Sequence, residues 1–164
     1  MTTSTLPHRL AATRRPAARP AVACQWWLLT IWLHGRRPQL GEVADGLVRL
    51  NVLGRIVLFE WERTAIVRPR AHLDAFLVLP DRVVGVVALP LAASRAELGA
   101  LLGGLKGACT AVVNMVRGTP GTALWERGYH ALRLRDTPGA LARARRFVAD
   151  APLRWAPVPE APDA

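Results

Sequence analysis

The distribution of apolar and polar positions along the chain predicts four main strands. Residues 25–33 form a nearly continuous apolar run, which is typical of a central strand covered on both faces. Two more apolar runs, residues 72–79 and residues 83–89, are separated by a short turn and predict a hairpin. The fourth predicted strand spans residues 124–134, although its periodicity is poor.

Capping and breaking residues predict where the first helix lies. A small hairpin precedes it, with strands at residues 40–43 and 47–50 that turn at Ala44-Asp45-Gly46. Asn51 can then cap a helix that continues to about residue 65, before Arg68-Pro69 breaks it. The helical spacing places four residues of this helix in one register: Val52, Ile56, Phe59 and Arg63.

Two more helices follow from similar signals. The sequence Ser94-Arg95-Ala96-Glu97 is a capping box that opens a long helix, and Gly118-Thr119-Pro120-Gly121 is the turn after it. Asp136 and Pro138 start a last helix that ends at Pro152. The predicted core face of the long helix consists of Leu98, Leu101, Leu102, Leu105, Val112 and Val116.

This order of elements predicts an α+β fold. The predicted fold is a ferredoxin-like split βαββαβ antiparallel sheet with helices on one face, followed by an additional C-terminal helix. The domain spans residues 24–155. Residues 1–23 are predicted to be a disordered basic arm, with an organellar transit peptide as the alternative, and residues 156–164 a flexible Pro-rich tail.

The charge balance indicates an anionic partner. The formal net charge is +10, to which residues 1–23 contribute +4 and residues 156–164 contribute −2, which leaves +8 for the domain. Nucleic acid is the commonest partner of such a surface, although a GC-rich genome that favours arginine would give the same balance. The two cysteines are far apart and indicate a reducing compartment. No apolar run reaches the roughly 18 residues of a membrane span.

Several stretches in collinear order resemble the REP-associated tyrosine transposases, which are HUH-type single-tyrosine DNA strand transferases. The resemblance covers about residues 25–155. It rests on the hairpin turn Leu79-Pro80-Asp81-Arg82-Val83-Val84-Gly85, on Trp125-Glu126-Arg127-Gly128-Tyr129, and on Pro152-Leu153-Arg154-Trp155. No single match is specific, so the collinear order carries the resemblance.

The resemblance also implies where the chemistry of the family would lie. Two histidines of the hairpin hold Mg²⁺ or Mn²⁺ in the family, and Arg82 and Val84 occupy their positions here. Phe147 stands at the position of the tyrosine nucleophile, and Ala151 at that of an amide ligand one turn later. We therefore expect no bound metal, no cofactor and no strand transfer. The implied function is that of a transposase-like DNA-binding protein of the bacterial cytoplasm, a pseudoenzyme derived from a mobile element.

The expected partner is single-stranded or hairpin DNA, with no membrane association and with a homodimer left open. The candidate DNA-contacting residues are Arg36, Arg37, Lys106, Trp125, Arg127, Tyr129, Arg135, Arg143, Arg146 and Arg154.

Arg82 is either an electrostatic substitute for the lost cation or a solvated turn residue. Trp26, Trp27, Trp32 and Trp61 are assigned to the core. One alternative is an active strand transferase with a displaced nucleophile such as Tyr129. Another is a relic without function, or a protein-interaction domain.

Overall fold

Four antiparallel strands form the centre of the molecule, in a computed structural model that describes residue 20 and residues 22–157. The elements in chain order are β1 (Cys24–Trp32), β2 (Gly41–Ala44), β3 (Leu47–Leu50), α1 (Val52–Val67), β4 (His72–Val78), β5 (Arg82–Pro90), α2 (Arg95–Arg117), β6 (His130–Arg133) and α3 (Ala140–Ala149). Short 3₁₀ turns follow β1 at His34–Arg36 and α3 at Ala151–Arg154. The predicted N-terminal arm and C-terminal tail lie almost entirely outside the described residues.

The order of strands across the sheet is β4-β5-β1-β6, with every neighbouring pair antiparallel. Because β5 is inserted between β1 and β4, this is the split βαβ arrangement, and the predicted α+β fold is confirmed. Strands β2 and β3 form a separate hairpin with Asp45 and Gly46 at its turn, both at positive φ. The turn residues are those that the sequence predicted.

Helix α1 begins where its cap predicts. The Asn51 side chain accepts a hydrogen bond from the backbone N–H of Gly54 at 3.1 Å, and Arg68 ends the helix. The core face is formed by Gly54, Val57, Glu60, Trp61 and Thr64. Val52 and Phe59, which the sequence placed in one register, are by contrast exposed on the outer side of the helix.

The helices cover both faces of the sheet. Alternate residues of β1, such as Leu29 and Ile31, pack against α1 and α2, where the Trp61 and Phe76 rings stack at 3.9 Å. The opposite face packs against Val148 of α3. Helices α1 and α2 therefore share one face as predicted, whereas α3 occupies the other.

Two predicted boundaries are wrong. The fourth strand is only β6, and the residues before it are irregular because Gly128 adopts a positive φ and Trp125 makes only an isolated bridge with Leu33. The last helix begins at Ala140 rather than at Asp136, since Gly139, with a φ of 78°, occupies the position before its first turn.

The predicted core face of α2 is partly wrong. Its first four leucines are buried, but further along the helix Cys109 and Val113 are buried in place of Val112 and Val116. Val116, next to the last residue of the helix, is 53% exposed. By length and composition α2 could also cross a membrane, a property that it shares with core helices of globular domains. Its buried residues pack in the main core of the described structure.

Candidate nucleic-acid interface

Helix α3 covers one half of its face of the sheet more completely than the other. It contacts β4 and β5, and beneath it Val84 and Val86 of β5 are 3% and 0% exposed. Strand side chains alternate, so the even-numbered residues of β1 point to this same face. These residues are all partly exposed: Trp26, Leu28, Thr30 and Trp32. Leu132 of β6, paired with Leu28, is 63% exposed. We call this partly covered half, over β1 and β6, the open face.

Polar contacts hold α3 over the β4 side. Arg145 donates from Nε to Oδ2 of Asp74 on β4 at 2.8 Å, and the Asp74 side chain is fully buried. After the helix, the indole N–H of Trp155 donates to Oδ1 of Asp81 at 2.9 Å. Asp81 lies in the turn between β4 and β5. Both anchors therefore lie on one side of the sheet. Strands β1 and β6 are covered less completely, although Trp26 and Leu28 still pack in part against the cluster around Val148.

Phe147 borders the open face. Successive residues of an α-helix are rotated by about 100°, so Phe147 points roughly 200° away from Arg145. Because Arg145 faces β4, Phe147 lies on the opposite flank of α3, away from β4. The guanidinium of Arg154 lies 4.8 Å from the centre of its ring and donates to the Phe147 carbonyl at 2.8 Å. Arg143, one turn earlier, lies on the same flank. Phe147 is 45% exposed, whereas Ala151 is buried under the helix end.

Two arginines converge on Trp32 at the edge of the open face. Arg82 is paired with Trp32 across β5 and β1, and its guanidinium carbon lies 4.5 Å from the indole centre. The guanidinium of Arg36, from the 3₁₀ turn after β1, lies 4.4 Å from the same indole. Such contacts favour a cation over the ring face. The cluster formed by Trp32, Arg36 and Arg82 is named the Trp32 cluster below.

Carboxylates fix both guanidinium groups of the Trp32 cluster. Arg82 donates to the two carboxylate oxygens of Asp81 at 3.0 and 3.2 Å, and Arg36 forms an ion pair with Glu126 at 3.2 Å. Arg82 donates to Asp81 from one terminal nitrogen only, and Arg36 donates to Glu126 from Nε only. The remaining N–H groups of each fork can serve a phosphate oxygen. Within the part of the chain that the structure describes, no group of three or more His, Cys, Asp or Glu side chains is placed to hold a metal ion.

The predicted DNA contacts fall on two sides of the molecule. Arg36, Arg143 and Arg154 lie around the open face, and Arg146 is exposed on the outer side of α3. Arg37 is exposed just after the 3₁₀ turn, whereas Arg127 and Arg135 are exposed on the segments before and after β6.

Lys106, Trp125 and Tyr129 lie instead on the α2 side, where they hold the segment before β6 in place. The Lys106 ammonium donates to the carbonyls of Glu126 at 2.7 Å and of Gly128 at 2.9 Å, and burial lowers the pKa of Lys106. The Trp125 indole donates to the Lys106 carbonyl at 3.2 Å and its ring is buried. Tyr129 packs against the core between the sheet and α2. These three side chains are engaged within the fold.

Sequence reasoning assigned Trp32 to the core and left it out of the site. The signal that could have found it is Thr30, the one hydroxyl side chain among the even-numbered residues of β1, which points to the same face as Trp32. A concavity of about 770 Å³ lies elsewhere, between the C-terminal half of α2 and the loop after it. Its lining is mostly apolar, and its polar side chains Lys106 and Asn114 already bond to neighbouring segments of the fold.

Comparison with known proteins bears on the fold. No family model matches the chain, and no curated protein matches it. A REP-associated tyrosine transposase bound to a REP hairpin has a similar structure, with a TM-score of 0.59, at 16% sequence identity, over 84% of this chain and 73% of that one. A predicted transposase from Deinococcus radiodurans is similar over 80% of this chain and 94% of that one, with 20% identity and a TM-score of 0.46. The first similarity shows that the chain has the fold of the REP-associated tyrosine transposases, as the sequence resemblance implied.

Proposed function

We propose that the protein binds single-stranded or hairpin DNA on the open face and does not cleave it. The observation that carries the proposal is the partly covered half of the sheet, where Trp32 lies within 4.5 Å of two guanidinium groups and Phe147 stands on the flank of α3 away from β4. Aromatic rings beside cations are the groups that bind unpaired bases and their phosphates. The similar transposase is bound to a REP hairpin, which favours the same class of partner.

The shape of the open face suits an unpaired strand. A partly exposed sheet surface that carries aromatic rings offers stacking platforms to splayed bases, as in several modules that bind single strands. Arg36 and Arg82 already lie against the Trp32 indole, so the cluster loses little side-chain freedom on binding, and a base can stack on the outer plane of a guanidinium group that the ring supports. Arg143 and Arg154 on the α3 flank are placed to contact the phosphates of the same strand.

The absence of cleavage is proposed from the groups that occupy the reactive positions of the family. Phe147 has no hydroxyl oxygen to attack a phosphodiester. Arg82 and Val84 point to the face on which the family would hold its cation, and neither is a metal ligand. In place of the cation, Arg82 can contact a phosphate without activating a nucleophile.

The location of Tyr129 argues against the alternative of a displaced nucleophile. Tyr129 packs against the core on the α2 side, and its hydroxyl lies 3.6 Å from the point where a side chain on Gly99 of α2 would begin. The Trp32 cluster and Phe147 belong to the opposite face of the sheet. A phosphate bound beside Arg82 is therefore on the other side of the sheet from this hydroxyl.

Fluorescence anisotropy with labelled DNA tests the proposal. Affinity for a hairpin with single-stranded flanks should exceed that for random duplex, and it should fall steeply with salt, by about 0.7 log units per log unit of salt for each phosphate contacted in a single strand. Charge reversal at Arg143 and Arg154, the two arginines of the α3 flank, should weaken binding by about 1 kcal/mol per contact. The matched control reverses Arg63 and Arg70, which are exposed on the α1 side. Equal, weak binding to both DNAs, or equal losses in the two double variants, would refute the proposal.

A further inference from the structure

The outer face of α1 carries an apolar row that nothing covers among the described residues. Val52, Phe59 and Ile66 follow one another at intervals of seven residues and are 59%, 60% and 79% exposed. Seven residues are almost two helical turns, so these side chains lie on one line along a helix about 24 Å long. Single exposed apolar residues are ordinary. Here three large ones share one side of a helix, with the exposed Arg63 between Phe59 and Ile66, and such a grouping suits a contact with another protein.

An exposed apolar residue of α2 lies near one end of this row. Arg117, the last residue of α2, donates to the Gln39 side chain at 2.6 Å, and the Gln39 carbonyl accepts from the Asn51 side chain at 2.9 Å. Since Asn51 directly precedes Val52, the exposed Val116 lies at the same end of the molecule as Val52. We call the row itself, Val52, Phe59 and Ile66, the α1 stripe.

The charges beside the α1 stripe indicate which partner fits it. Arg55 and Glu62 are both exposed and lie seven residues apart on one flank of this line, about 60° around the helix from it. They form no ion pair within the described part of the chain. A two-fold axis between Leu58 and Phe59 places Arg55 of one copy opposite Glu62 of a second copy, twice. A parallel arrangement would instead oppose Arg55 to Arg55. An isologous two-fold contact requires a surface that complements itself, and this stripe does so only when it is antiparallel.

We propose that the protein forms an antiparallel two-fold homodimer through the α1 stripe. Phe59 packs near the axis, Val52 of one copy faces Ile66 of the other, and two Arg55–Glu62 pairs border the apolar contact. Helix α1 lies on the opposite side of the sheet from α3, so both open faces stay accessible. Stable interfaces bury more than about 1,200 Å² in total, and one pair of 16-residue helices reaches at most about that area, so the dimer should dissociate in the micromolar range.

Sedimentation velocity across a micromolar concentration series tests the dimer with the full chain and without DNA. The wild type should shift from monomer to dimer, and Phe59→Asp should remain monomeric. The control Leu91→Asp, at a similarly exposed apolar residue after β5, should dimerise like the wild type. Circular dichroism would show that both variants are folded.

A charge exchange separates this geometry from any other association. Arg55→Glu and Glu62→Arg should each weaken the dimer at least tenfold, because each places like charges opposite one another twice. The double variant Arg55→Glu/Glu62→Arg should regain the wild-type dissociation constant. A wild type that is monomeric at every concentration would overturn the proposal. So would a dimer that tolerates Phe59→Asp, assemblies larger than a dimer, or a double variant that is not rescued.

Discussion

Asp74 is the residue on which the position of α3 depends most. It is fully buried, its Oδ2 accepts from Arg145, and its Oδ1 has no hydrogen-bond partner among the described residues. A buried carboxylate is tolerated only when it is paired, so the Arg145 guanidinium stabilises the whole docking of the helix.

We expect Arg145→Ala to lower the free energy of unfolding by about 3–5 kcal/mol, because it leaves the Asp74 carboxylate buried without its cation. The adjacent Arg146→Ala is the matched control, since Arg146 is exposed and a surface substitution changes stability by about 0.5 kcal/mol or less. Urea unfolding followed by circular dichroism measures both values. Equal losses in the two variants would mean that the pair does not hold α3.

Phe147 is the residue at which the proposed lack of cleavage can be tested directly. We expect Phe147→Tyr to restore the hydroxyl without restoring cleavage, because Arg82, Val84 and Ala151 supply no metal ligand. Incubation with a suicide hairpin substrate, with and without manganese, should give no covalent protein–DNA band on a denaturing gel. A band from the wild type would refute the proposed inactivity. A band from Phe147→Tyr alone would show that a functional cation site survives.

At the scale of the elements, the sequence predicted well those helix ends that neighbouring residues determine. Asn51 and Ser94 cap their helices, and Gly118 in the left-handed conformation ends α2, because each of these residues acts on its own neighbours. The strand order follows from short connections and from the hairpin of β4 and β5. The predicted fourth strand is too long at its start. The segment before β6 is held away from the sheet by the Lys106 ammonium, which donates to the carbonyls of Glu126 and Gly128. Such contacts between distant residues leave no pattern in the local sequence.

The open face could not be predicted from the sequence for a similar reason. The even-numbered residues of β1 are mostly apolar, so the strand resembles one that is covered on both sides. Whether it is covered depends on where α3 docks. The Arg145–Asp74 and Trp155–Asp81 contacts decide this, and they join residues more than 70 positions apart. In the sequence, Arg145 stands between Arg143 and Arg146, and nothing in this group of arginines distinguishes the one that is paired with a buried carboxylate.

At the scale of the whole molecule, the two faces of the sheet have different roles in this account. The α1 and α2 side holds the larger core and carries the apolar α1 stripe on its outer surface. The α3 side carries the Trp32 cluster and Phe147 beside a partly covered sheet. A domain charge of +8 attracts DNA over a long range without selecting a face. The aromatic groups of the open face are what should select unpaired bases.

Photo-crosslinking tests this central claim most directly, because it reports where the DNA lies. Hairpin DNA with bromodeoxyuridine in its single-stranded flank would be irradiated with the protein, and the linked peptides identified by mass spectrometry. We predict links to β1 at Trp32 and to α3 at Phe147, which excess unlabelled hairpin abolishes and random duplex does not. Links concentrated on α1 or α2, or links that random duplex removes equally well, would contradict the account.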